Sequence, residues 1–149
     1  MFSTDWRTSE RQYEITIERD VMIPVREGIA LDSDIFRPDD AGKFPALLAV
    51  HAYGKPTQSM EMMPIGFSYA RGFMETGDFN FYVRRGYALV VINITGTRNS
   101  GGVFGNIDPQ SVLDVCAAIE WTAKQPWCDG NIGMTGVSHF SRVSKRVAA

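Results

Sequence analysis

Histidine is scarce in this sequence: among 149 residues only His51 and His139 occur. Cysteine is equally sparse, with Cys116 and Cys128 alone. Neither has metal-ligand spacing or a histidine nearby, which speaks against a zinc site. The expected state is two reduced thiols in a cytoplasmic protein, and no cofactor or metal is called for. No apolar run approaches the roughly 20 residues that span a bilayer. The N-terminus, from Met1 to Arg7, is polar and lacks the apolar stretch of a signal peptide. The net charge of −2 gives nothing to attract nucleic acid or an anionic membrane. Internal repeats and low-complexity segments are missing too.

What is present suits a globular domain. Hydrophobic residues make up 44% and include nine Phe, five Tyr and three Trp, enough for a core. Residues 1–12 form a polar lead-in. Residues 13–21 alternate, with Tyr13, Ile15 and Ile17 on one face of a strand, and residues 29–36 alternate again, with Ile29, Leu31 and Ile35 together. Arg26-Glu27-Gly28 reads as the turn between them, giving an antiparallel pair near a sheet edge. Residues 46–50 (ALLAV) and 88–92 (ALVVI) are unbroken apolar runs, the mark of strands buried on both faces of a parallel sheet.

Helices fall between and after these runs. Residues 78–85 form a short one, capped by Asp78 and stopped by Gly86. Asp108-Pro109 opens the clearest, with Asp as N-cap and Pro at the first position. Val112, Val115, Cys116, Ile119 and Ala123 then make its apolar face. Pro126 and Asp129-Gly130 end it, residues 132–135 form a short strand, and the chain is helical after Ser138. The segment 57–77, rich in Met, Gly and aromatics, reads as a loop or short helices over a site, or as a plain surface excursion. The alternation of strand and helix in the second half predicts an α/β fold with a mainly parallel sheet.

The chemistry centres on Gly136-Val137-Ser138. A short strand running into Gly-x-Ser and then a helix is the setting of a nucleophile elbow, a tight turn that lifts a serine hydroxyl above the sheet. The following helix start offers backbone N–H groups and a positive dipole end to a developing oxyanion. The bland alternative is a serine that caps a helix.

Four stretches carry a resemblance to a known family. They are Val25-Arg26-Glu27-Gly28 through Phe36-Arg37-Pro38; Phe44-Pro45 into Ala52-Tyr53-Gly54-Lys55; Gly86-Tyr87 through Thr95-Gly96-Thr97-Arg98-Asn99-Ser100-Gly101-Gly102; and Glu120-Trp121, Gln125-Pro126-Trp127 and Asp129-Gly130 leading into Gly136-Val137-Ser138. In this order and spacing the sequence resembles the cocaine esterase and Xaa-Pro dipeptidyl-peptidase family (the CocE/NonD hydrolases) from about residue 13 to residue 149. The resemblance implies an α/β-hydrolase fold. It implies Ser138 as the nucleophile that forms an acyl-enzyme, the Tyr53 hydroxyl as one oxyanion donor, and the backbone N–H of His139 as the other. The substrate would be a small-molecule ester, acylated amine or peptide, cut by an esterase, acylase or Xaa-Pro dipeptidyl-peptidase.

Departures from the pattern are few. His139 stands where the family has Tyr, Ser141 where it has Gly, Thr95 where it has Arg and Arg98 where it has Gly. Arg98 strains its turn if that position needs φ > 0.

In α/β hydrolases the triad acid and histidine follow the serine along the chain. The resemblance therefore places both beyond Ala149, with a helical cap and a β-rich jelly-roll domain. His51 reads as a packed residue at the end of a buried strand, and His139 points away from its neighbour Ser138. Asp108 reads as a helix cap, Asp114 as a helix-surface or supporting residue, and Asp129 as a turn residue. Residues 13–149 are thus expected to be a partial catalytic domain with little activity alone, and with the elbow strand left as an apolar edge through which copies could associate. The alternative is a non-catalytic α/β domain with a binding role or none. A Rossmann-type nucleotide site is disfavoured, since no Gly-x-Gly-x-x-Gly follows the first strand.

Overall fold

A computed structural model of the chain describes residues 7–55 and 75–149. Most of the segment 57–77 lies outside the described residues. Five strands form one sheet: β1 (Ile15–Arg26), β2 (Ile29–Pro38), β3 (Phe44–His51), β4 (Ala88–Asn93) and β5 (Cys128–Met134). Their order is β1-β2-β4-β3-β5. β1 pairs antiparallel with β2, and β2 antiparallel with β4. β3 runs parallel to both β4 and β5. Three helices complete the described residues: α1 (Phe79–Val83), α2 (Pro109–Ala123) and α3 (His139–Val147).

The unbroken apolar runs become the centre of the sheet because both its faces are covered. Every residue of β4 is buried. Ala88, Val90 and Ile92 join Leu48, Val50, Val115 and Ala118 on the face covered by α2. Leu89 and Val91 join Phe36, Ala49, Val83 and Phe140 on the other. β5 forms one edge of the sheet, as the sequence suggests, but its residues 129–131 are exposed and polar.

The first strand runs further than the alternation indicates, to Arg26. Its register slips between Glu18 and Val21, where Asp20 adopts a φ of 54°. Such a bulge breaks the alternation that a sequence reading relies on. The buried stripe of α2 also differs from the expected face. It comprises Ser111, Asp114, Val115, Ala118 and Thr122, whereas Leu113 is 61% exposed. Thr122 and Asp114 can take inward positions here because their side chains are hydrogen-bonded, whereas the buried Ser111 Oγ has no partner among the described residues. Thr122 Oγ1 donates to Ala118 O at 2.8 Å, and Asp114 accepts from three side chains described below. The capping itself matches the expectation: Ser111 N–H donates to Asp108 Oδ1 at 2.7 Å, and Asn80 N–H to Asp78 Oδ1 at 2.8 Å.

Candidate active site

Because β3, β4 and β5 are parallel, their carboxyl ends lie on one rim of the sheet, where α/β folds place their ligands. The segments leaving that rim carry Tyr53, the Gly96–Gly102 loop and Ser138.

The elbow is built by close packing. Gly136 has a φ of 129°, and a Cβ on it would lie 2.3 Å from the Cβ of Phe140. Only glycine fits. Val137 N–H donates to Glu75 O at 3.0 Å, which ties the turn to the segment before α1. Ser138 then takes φ 58° and ψ −120°. A non-glycine residue there stores strain on the order of 1–3 kcal/mol, and such strain gathers at functional sites. Ser138 sits at the N-cap position of α3, yet its side chain makes no capping hydrogen bond. It is exposed, and its hydroxyl is left for other use. The first N–H groups of α3, beginning with His139, have no intrahelical acceptor and mark the positive end of the helix.

Tyr53 stands beside this turn. It is 48% exposed, and its ring meets the His139 ring edge-on, centroids 5.7 Å apart. Its N–H donates to His51 Nδ1 at 3.2 Å. The structure thus brings Tyr53 and the elbow together from strands on opposite sides of the chain's order, β3 and β5.

Neither histidine serves Ser138. His51 is fully buried and stacked on Phe140, centroids 4.9 Å apart. Since its Nδ1 accepts, its proton sits on Nε2, which has no partner among the described residues. Burial above all, then the neighbouring His139 and Lys55, pushes its pKa down to about 3. His139 is also buried, and its Nε2 lies 3.1 Å from Asn106 Oδ1. Burial and then Arg142 lower its pKa as well. Both are neutral, and among the described residues neither is hydrogen-bonded to the serine.

A polar cluster below the rim has no counterpart in the sequence reading. Lys55, buried just past Tyr53, donates from Nζ to Asp20 Oδ1 at 2.9 Å and to Asp32, and it pairs with Asp34 Oδ1 at 2.9 Å. Its N–H donates to Asn93 Oδ1 at 3.1 Å, while Asn93 Nδ2 donates to Asp32 Oδ2 at 2.7 Å. Burial would lower the Lys55 pKa, but the three carboxylates together raise it. Burial would raise that of Asp34, yet Lys55, the Asp20 N–H and Arg19 hold it below the usual range. The cluster fixes the segment that carries Tyr53 to β2 and β4.

Asp114 is a buried supporting residue rather than a surface one. It accepts from Arg26 Nε at 2.9 Å, Thr95 Oγ1 at 2.8 Å and Gln110 Nε2 at 3.0 Å. Burial would raise its pKa, but these donors hold it low. Thr95 thereby anchors the glycine-rich loop to α2. Arg98 does have the positive φ that the pattern raised as a concern, 54°. Its guanidinium lies across Gly54, with Nε 2.3 Å from where a Cβ on that glycine would be. Asp129 is not in a turn as expected but lies within β5, where its Oδ1 accepts from Asn131 N–H at 2.8 Å.

Residues 27–149 match the family model of the X-Pro dipeptidyl-peptidases, family S15. The chain belongs to that family. It is 33% identical over 126 residues to the cocaine esterase of Rhodococcus sp., covering 84% of this chain and 20% of the esterase. It is 31% identical over 83 residues to the Xaa-Pro dipeptidyl-peptidase of Lactobacillus helveticus, covering 46% of this chain and 10% of that enzyme. Among solved structures, a CocE/NonD family hydrolase from Staphylococcus aureus superposes with a TM-score of 0.80 at 32% identity, over 90% of this chain and 25% of that one. The fold is that of an α/β-hydrolase, and the chain spans about a fifth of the length of the cocaine esterase it matches. Relatives bear the names of esterases and peptidases, so the family's chemistry is serine hydrolysis of ester and peptide bonds. Among the described residues no helix is long and apolar enough to cross a membrane.

Proposed function

We propose that Ser138 is the nucleophile of a serine hydrolase acting on carboxylic esters or on amide and peptide bonds through an acyl-enzyme. The observation that carries this is the Ser138 backbone itself, strained at φ 58° while the side chain caps nothing. Attack by the hydroxyl on a substrate carbonyl would put negative charge on the carbonyl oxygen. The His139 N–H at the start of α3 and the Tyr53 hydroxyl are the donors assigned to it. The serine proton needs a base. His51 is buried beneath Phe140 and the His139 ring is held by Asn106, so in this reading the base comes from outside residues 1–149.

A graft tests the assignment. Residues 27–149 replace the matching part of the Staphylococcus aureus hydrolase, which keeps the rest of its own fold. A fluorophosphonate should label the folded graft at Ser138, and S138A should abolish the label. A folded graft that takes no label on Ser138 would favour a non-catalytic domain instead.

A further inference from the structure

We propose that His139 and His51 are positioning residues that set where Tyr53 stands relative to Ser138. The inference rests on the reading of Tyr53 as an oxyanion donor. It adds how this chain aims that donor, with His139 standing where the family pattern has Tyr.

The two residues that follow Ser138 both reach the Tyr53 segment. His139 does so directly, its ring meeting the Tyr53 ring at 65° with centroids 5.7 Å apart. Phe140 does so through His51. Phe140 packs under Gly136 and stacks on the His51 ring at 4.9 Å, and His51 Nδ1 accepts the Tyr53 N–H at 3.2 Å. Tyr53 is therefore held at its backbone by one ring and at its side chain by the other, and both rings are anchored on the elbow. Each imidazole is fixed in one tautomer. His51 must leave Nδ1 unprotonated to accept from Tyr53. His139 donates from Nε2 to Asn106 Oδ1 at 3.1 Å, which leaves its Nδ1 bare and buried. A buried polar atom without a partner is destabilising. Among the described residues both rings carry one, His51 at Nε2 and His139 at Nδ1. A hydrocarbon ring would fill the same space without that cost, so packing alone does not account for two imidazoles here. At His51 the acceptor for Tyr53 accounts for it; at His139 the bond to Asn106 sets the ring's orientation against Tyr53.

The test is made on the chain by NMR, with Y53F assigning the Tyr53 ring among the five tyrosines. In the wild type a through-hydrogen-bond coupling should join Tyr53 N to His51 Nδ1, and the Tyr53 ring should be as ordered as rigid backbone, with an order parameter near ~0.85. H139A should drop that order towards ~0.6 or below, and H139F, which restores an aromatic edge but not the bond to Asn106, should recover it in part. H51A should speed exchange of the Tyr53 amide about five- to tenfold, the loss of roughly 1 kcal/mol of hydrogen bond. The proposal is overturned if the coupling is missing, if Tyr53 keeps its order in folded H139A, or if H139F behaves as H139A does. These readouts do not depend on labelling of Ser138. If the Tyr53 ring answers as expected while Y53F is labelled in the graft as fast as wild type, the positioning stands and the oxyanion role of Tyr53 fails. The reverse pattern removes the positioning alone.

Discussion

Phe140 lies where a side chain on Gly136 would have to be: its Cβ is 2.3 Å from the position a Gly136 Cβ would take. This contact draws the start of α3 down onto the end of β5 and leaves Ser138, between them, in a strained and exposed turn.

Replacing Gly136 by Ala should therefore be costly. Both the φ of 129° and the clash oppose it, and a loss of about 2–4 kcal/mol is expected. For a chain of this size that is a fall in Tm of roughly 4–16 °C. A G136A chain that melts within 1 °C of wild type would show that the turn is not as tight as described.

Lys55 holds three carboxylates, Asp20, Asp32 and Asp34, of which the last two are buried. Lys55→Met removes the cation and leaves the acids unpaired, at an expected cost of about 3–5 kcal/mol. Urea unfolding should show it. A triple variant that also neutralises Asp32 and Asp34 to Asn should recover part of the loss, because it removes the uncompensated charge.

Much of the site was legible before any coordinates. Glycine, a turn and a helix start around Ser138 are local features, and sequence displays them directly. Asp108, Asp78 and Gly86 likewise act on their own neighbours. The Lys55 cluster was not legible, because it joins residues 35 positions apart in sequence whose charges look ordinary one at a time. The inward face of α2 was misjudged for a related reason. Asp114 is buried only because Arg26, 88 positions away, and Thr95 come to meet it. The shift of β1 at Asp20 follows from the same cluster, since the Asp20 N–H donates to Asp34 Oδ1 at 3.1 Å.

Arg98 is expected to be a mild liability. Its φ of 54° costs a non-glycine residue about 1 kcal/mol. R98G should raise Tm by a few degrees, of the order of 2–4 °C per kcal/mol. A fall instead would mean that the packing of the guanidinium across Gly54 outweighs the backbone strain.

Acid should weaken the fold earlier than carboxylates alone would dictate. His51 is held neutral, with a pKa of about 3 against 6.5 in an unfolded chain. The stabilisation this gives is complete above pH ~6.5 and is lost as pH falls towards 3, at about 1.4 kcal/mol per pH unit within that window. His139, also depressed, adds in the same direction. Asp34 and Asp114, held low, lose their contributions only below about pH 4. Urea midpoints measured at pH 7 and pH 5 should therefore drop, and H51Q should drop less. Equal midpoints at the two pH values would contradict a buried neutral His51.

We propose that Ser138 is shaped as a nucleophile and that, among the described residues, no base reaches it. The most direct measurement is hydrolysis of a p-nitrophenyl ester by the purified chain beside its S138A variant. Equal, slow rates are expected from two equally folded proteins. Rapid turnover that disappears in S138A would contradict it, because a base for Ser138 would then lie inside this chain.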